Sequence, residues 1–235
     1  PHVPLFVSDQ FSGVSDAGLY GDVVETIDWS MGQILEKLQE LELDNNTLVI
    51  FTSDNGPWFE GSPGPFRDRK GSSWEGGLRV PFIARWPTVI APGAVSQEAA
   101  MGIDVFPTLL ELAGGTLPGD RDIDGKNILP LLSQNAVSPH DALYLFNDDR
   151  IAGVRSGQWK LVVESFYRTA LPSFDNPDSY YGPSGLLFDL ERDPSETYSY
   201  TRENPEVVAR LREYLEAGQQ SLNATVLPQM WNRAN

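Results

Sequence analysis

The sequence predicts an α/β fold: part of an open mixed or parallel sheet with flanking helices, followed by a small antiparallel sheet packed with a C-terminal helix. Three observations predict it. Val24, Ile27, Met31, Ile34, Leu38 and Leu41 recur at alternating three- and four-residue steps between Asp22 and Leu43, the period of one helix face. After Asp44-Asn45-Asn46 breaks that pattern, Thr47-Leu48-Val49-Ile50-Phe51-Thr52 forms a short, β-branched, nearly continuous apolar run, as expected of a central parallel strand buried on both faces. Beyond Ser138 the texture changes to short apolar runs separated by turn residues, as expected of antiparallel strands.

The remaining elements follow in chain order. Val80 to Trp86 reads as another short strand, and Val105 to Ala113 as a short helix closed by Gly114-Gly115. Ala142 to Phe146, Ile151 to Arg155, Trp159 to Val163 and Leu186 to Leu190 are the strands of the second sheet. Pro205 suits a first helical turn with Asn204 as its cap, and Val207, Val208, Leu211, Tyr214 and Leu215 form the apolar stripe of the helix that follows. The expected division is residues 1–138 for the larger α/β domain and 139–235 for the smaller α+β one.

Composition narrows the function. Seventeen Lys and Arg against 33 Asp and Glu give a net charge of -16, a field that repels phosphate backbones and anionic membranes. Nucleic acid and membrane are therefore not expected partners. The absence of cysteine excludes disulfides, thiolate metal sites and a cysteine nucleophile. No apolar run approaches the roughly 20 residues of a membrane helix. The opening Pro1-His2-Val3-Pro4 reads as neither a signal peptide nor a natural start, so a cut N-terminus is expected.

Two loops hold residues suited to chemistry. Asp54 and Asn55 set a carboxylate beside an amide oxygen at the end of the first strand, where open α/β sheets bind ligands and where hard cations find oxygen donors. Asn55-Gly56 is equally the pair of a two-residue hairpin turn, but Pro57-Trp58-Phe59-Glu60 offers no alternating return strand. Arg67 to Arg79, which contains Lys70, Trp74, Glu75, Gly76 and Gly77, concentrates positive charge and glycine in an acidic protein. Such a loop suits an oxyanion, and a solvated surface loop is the plain alternative. Trp58 and Trp74 stand on these loops and could offer flat faces to an aryl group or a sugar ring, or could plug the loops onto the core.

Taken in order, His2-Val3-Pro4, Tyr20-Gly21-Asp22, Ser53-Asp54-Asn55-Gly56-Pro57, Lys70-Gly71, Glu75-Gly76-Gly77 and Val80-Pro81 resemble the sulfatases of the alkaline-phosphatase superfamily. Asp104-Val105-Phe106-Pro107-Thr108-Leu109, Ile123-Asp124-Gly125, Gly157-Gln158-Trp159-Lys160-Leu161, Leu187-Phe188-Asp189-Leu190 and Asp193-Pro194 continue the likeness over nearly the whole chain. The resemblance implies a sulfuric ester hydrolase acting on aryl or carbohydrate sulfates. It further implies that Asp54 and Asn55 are calcium ligands, that Lys70 contacts a sulfate oxygen, and that His2 hydrogen-bonds the sulfate or protonates the departing alcohol. Glu75 and Arg79 would brace the loop. A bacterial member would be periplasmic or extracellular.

The sequence departs from the family's pattern in what it lacks. It contains no Cys/Ser-x-Pro-x-Arg motif, whose first residue becomes the formylglycine nucleophile, and the family's N-terminal paired aspartates are also missing. The chain is therefore expected to be a C-terminal fragment, inactive alone, completed by an N-terminal half or by self-association. A phosphonate monoester or phosphodiester hydrolase of the same superfamily, or a non-catalytic binding or assembly module, are the alternative readings.

Overall fold

The computed structural model describes residues 1–147, 150–164, 181–182 and 184–224. Contacts divide the chain into two units, Pro1–Gly64 with Arg79–Pro139, and Pro65–Leu78 with His140–Asn235. Helices and strands are mixed in both. Among the described residues no helix is long and apolar enough to cross a membrane.

In the first unit, α1 (Gly18–Glu40) starts ahead of its apolar stripe because Asp22 turns inward. Its carboxylate accepts the N–H groups of Gly13 at 2.9 Å and Ser15 at 2.8 Å, and a Cβ on Gly21 would fall 2.1 Å from Ser15 Oγ. Tyr20-Gly21-Asp22 is thus a bracket that folds the preceding loop onto the helix. Within the stripe Ile27, Met31 and Leu38 are half-buried, while Val24, Ile34 and Leu41 are exposed.

β1 (Val49–Thr52) pairs antiparallel with β2 (Phe82–Arg85), Val49 opposite Arg85 and Thr52 opposite Phe82. Among the described residues the neighbour of this strand is thus antiparallel, where a parallel one was expected, and its own residues are half-buried or exposed. An apolar run encodes burial and carries no information about the direction of its neighbour. The turn between α1 and β1 fixes the far end of β2. Asp44 forms a two-pronged ion pair with Arg85, and Trp86 Nε1 and Thr88 Oγ1 donate to the Asn45 carbonyl at 3.1 and 2.8 Å.

Two further helices, α3 (Val105–Leu112) and α4 (Leu129–Gln134), are joined by a polar bracket. Asp104 is fully buried and accepts the N–H groups of Met101 at 2.7 Å and Lys126 at 2.8 Å. Thr108 donates to the Asp104 carbonyl and accepts the Ile128 N–H at 2.9 Å. A Cβ on Gly125 would meet the Ile103 carbonyl at 2.2 Å. Asp104, Thr108 and Gly125 therefore have structural roles.

The second unit contains α2 (Glu75–Leu78) and a four-stranded antiparallel meander, β3 (Leu143–Asn147), β4 (Arg150–Ser156), β5 (Trp159–Val162) and β6 (Leu186–Asp189). Helix α5 (Pro205–Ala224) covers one face, packing Val208 and Leu211 on Val154, Leu161 and Leu187. Its start agrees with the sequence, but the Asn204 side chain donates to the Tyr200 carbonyl at 3.2 Å. The period-two alternation of β5 and β6 sends Val162 and Phe188 to the other face, where Trp74 and Leu190 complete a second core. Lys160 stands opposite Phe188 in the register and shares that second face.

Candidate functional site

In the first unit, Asp54 and Asn55 follow β1 directly, Asp54 exposed and Asn55 half-buried. Ser53 Oγ donates to the Asn55 carbonyl at 3.1 Å. The partner of β1 begins only at Phe82, so Asn55-Gly56 is not a two-residue hairpin turn. Two hard oxygen donors at a strand end fit a calcium ion, but as a fraction of its roughly six- to eight-oxygen shell. Among the described residues no cluster of three or more acidic or histidine side chains completes one.

Trp58 is half-buried and meets Phe59 edge-on, with ring centroids 5.0 Å apart, and Phe59 is 62% exposed. The turn closes with the Gly61 N–H donating to the Trp58 carbonyl at 3.1 Å, and a Cβ on Gly61 would fall 2.5 Å from the Tyr20 hydroxyl. The aromatic pair is thereby held beside the Asp54 loop. His2 is exposed, its Nδ1 donating to the Val3 carbonyl at 2.7 Å.

The second unit carries Lys70, half-buried, on a loop wound tightly around α2. A Cβ on Gly76 would fall 2.2 Å from the Asp68 carbonyl and 2.4 Å from that of Arg67. On Gly77 it would fall 2.6 Å from the carbonyls of Arg69 and Ser72. The two glycines are there because the backbone on both sides of Lys70 rests on them. The Gly76 N–H donates to the Arg67 carbonyl at 2.8 Å and Ser72 Oγ to that of Arg69 at 2.9 Å. Asp68 sits at φ 60 and Gly71 at φ 90, so the backbone enters the left-handed region on both sides of Lys70.

Trp74 is 1% exposed, edge-on to Phe188 with centroids 5.5 Å apart and with the Arg67 guanidinium 3.8 Å from its ring centroid. It has no face left for a substrate, which corrects its expected role as a pocket wall. A bulky aromatic between turn residues reads the same in sequence whether it lines a pocket or plugs a core.

Lys160, Glu75 and Glu196 are the residues to which the sequence reading gave no role or only a bracing one. Lys160 is fully buried, with Nζ 2.9 Å from Glu75 Oε1 and 2.8 Å from Glu196 Oε1. The second contact is an ion pair by distance without hydrogen-bond alignment. Glu196 Oε2 accepts the Glu75 N–H at 2.6 Å, and Arg155 lies 3.8 Å from Glu75 Oε2. Burial pushes the Glu196 carboxyl above its ordinary value, and the Lys160 charge opposes that shift. A lysine in a strand of otherwise core residues was the available signal.

Residues 1–115 match the family profile described as Sulfatase, and residues 66–221 match that described as N-sulphoglucosamine sulphohydrolase, C-terminal. The chain belongs to the sulfatase family. Both matched stretches include the Lys70 loop of this sulfatase chain. It is 41% identical to the steryl-sulfatase of Mus musculus over 92% of its own length and 38% of the relative's. To arylsulfatase H of Canis lupus familiaris it is 40% identical, over 97% of its length and 45% of the relative's. It superposes on the PsFucS1 sulfatase from Pseudoalteromonas sp. with a TM-score of 0.84 at 26% identity, covering 95% of this chain and 47% of the other. The chain thus spans less than half the length of these relatives.

Proposed function

We propose that this chain is the C-terminal portion of an arylsulfatase-like sulfuric ester hydrolase, with Asp54 and Asn55 as calcium ligands and Lys70 and His2 as sulfate-contacting groups. The observation that carries the reading is the Lys70 loop, built with carbonyls converging on Gly76 and Gly77 within a chain of the sulfatase family. A sulfate monoester gathers negative charge on its leaving oxygen as the S–O bond breaks. A bound calcium would supply further positive charge at that oxyanion. The Lys70 ammonium would bind a sulfate oxygen and strengthen its hold as charge develops. The His2 imidazole would hydrogen-bond the sulfate or pass a proton to the departing alcohol. Trp58, beside the Asp54 loop, would offer its ring to an aryl or sugar leaving group.

The same reading makes the β1–β2 pair part of a larger sheet completed by another segment, with residues 139–235 as the small C-terminal domain. For a bacterial source it implies a periplasmic or extracellular enzyme. Having no formylglycine motif, the 235-residue chain alone is expected to leave an aryl sulfate unhydrolysed. Assay of the purified chain, alone and mixed with the N-terminal half of the full-length protein, tests this. Chelator-sensitive turnover by the chain alone would refute it.

A further inference from the structure

Ion pairs with no exposure seldom persist for stability alone, because well-packed apolar side chains of similar volume serve as well or better. Lys160, Glu75 and Glu196 are such a group, at 0%, 4% and 0% exposure, and they come from three segments of the chain. Lys160 projects from β5 and Glu75 begins α2. Glu196 stands in the turn after β6 at φ 52, a left-handed conformation costly for a residue with a Cβ.

What these side chains hold is the frame of the Lys70 loop. Lys160 takes the Glu75 side chain, while Glu196 takes the Glu75 backbone N–H at 2.6 Å. At the other end of the loop the Glu196 carbonyl accepts Arg67 NH1 at 2.9 Å, and the Arg67 guanidinium stacks on Trp74. Ser195 Oγ adds a bond to the Pro65 carbonyl at 2.6 Å. Both ends of the segment Arg67 to Glu75 are tied to the turn at Glu196, the Glu75 end to Lys160 as well, and Lys70 stands between them.

We propose that Glu75, Lys160 and Glu196 form a positioning clamp through which the C-terminal sheet sets where the Lys70 ammonium stands. The clamp orients Lys70 and does not touch substrate, and its catalytic consequence rests on the reading of Lys70 given above. Directed hydrogen bonds set an orientation that apolar packing of equal volume does not.

The test is amide hydrogen exchange in the full chain, comparing residues 67–74 with the sheet residues 151–162. Glu196→Gln and Lys160→Met should speed exchange in the loop by about tenfold or more beyond whatever the sheet loses through the fall in global stability, as expected on losing a charge-assisted bond. A triple variant carrying Glu75→Met, Lys160→Met and Glu196→Met should regain thermal stability yet keep the fast-exchanging loop. In the full-length protein these variants should lower kcat for an aryl sulfate more than they raise KM, since the hold of Lys70 on the sulfate strengthens as charge develops. Unchanged loop exchange in both single variants, protection lost equally from loop and sheet, or a triple variant with a fully protected loop would each overturn the clamp. Lys70→Ala tests the underlying reading separately: if kcat survives it, the role of Lys70 fails while the exchange result still decides the clamp.

Discussion

Single residues decide how firmly the polar brackets hold. Removing one partner of a fully buried ion pair strands the others, so Lys160→Met should cost about 3 to 5 kcal/mol, read as a fall in the denaturation midpoint at constant m-value. A surface lysine replaced in the same way should change little. Asp22 sets a pH dependence. The N–H groups of Ser15 and Gly13 hold its carboxyl below the ordinary 3.8. A lowered folded pKa contributes stability that is fully present above 3.8 and is lost as pH falls through the lower folded value. Asp22→Asn should therefore lower Tm at neutral pH and flatten its decline in that acidic window. An unchanged slope would show that other carboxylates, such as Asp44 beside Arg85, dominate acid sensitivity.

Elements show what the sequence made legible and where it stopped. The four strands of the second sheet and the helix from Pro205 lie where the short apolar runs and the apolar stripe placed them, because each buries its apolar residues against this chain's own residues. Leu211, wholly buried between α5 and the sheet, should accordingly cost about 2 to 5 kcal/mol as Leu211→Ala. The direction of β1 was not legible, since its apolar run is compatible with either neighbour. The core position of Trp74 was hidden for the same reason: identity gives hydrophobicity, whereas enclosure depends on Phe188 and Arg67, remote in sequence or on the loop's far side. Lys160 was visible only as part of a resemblance, its partners lying 85 residues before it and in the turn after β6. Gly76→Ala makes the local argument testable. The new Cβ would strike the backbone carbonyls of Asp68 and Arg67, so the Lys70 loop must shift, at about 1 to 3 kcal/mol.

At the scale of the whole molecule, a sulfatase-family chain spanning less than half the length of its relatives has the two proposed calcium donors in one unit and the lysine proposed to contact sulfate in the other. With Asp54 and Asn55 as its only proposed ligands, the isolated chain should bind calcium at millimolar strength or weaker by calorimetry, because water must fill the rest of the shell. Sub-micromolar binding that survives Asp54→Ala would place the site elsewhere. The central claim, that this chain supplies the sulfate-contacting and metal-binding groups of a sulfatase, is tested most directly by aryl sulfate hydrolysis in the full-length protein bearing Lys70→Ala or Asp54→Ala. Each should lower kcat/KM by about 100-fold or more at an unchanged melting temperature, the scale expected when a group facing developing charge is removed. Hydrolysis within about twofold of the parent for both variants would contradict it.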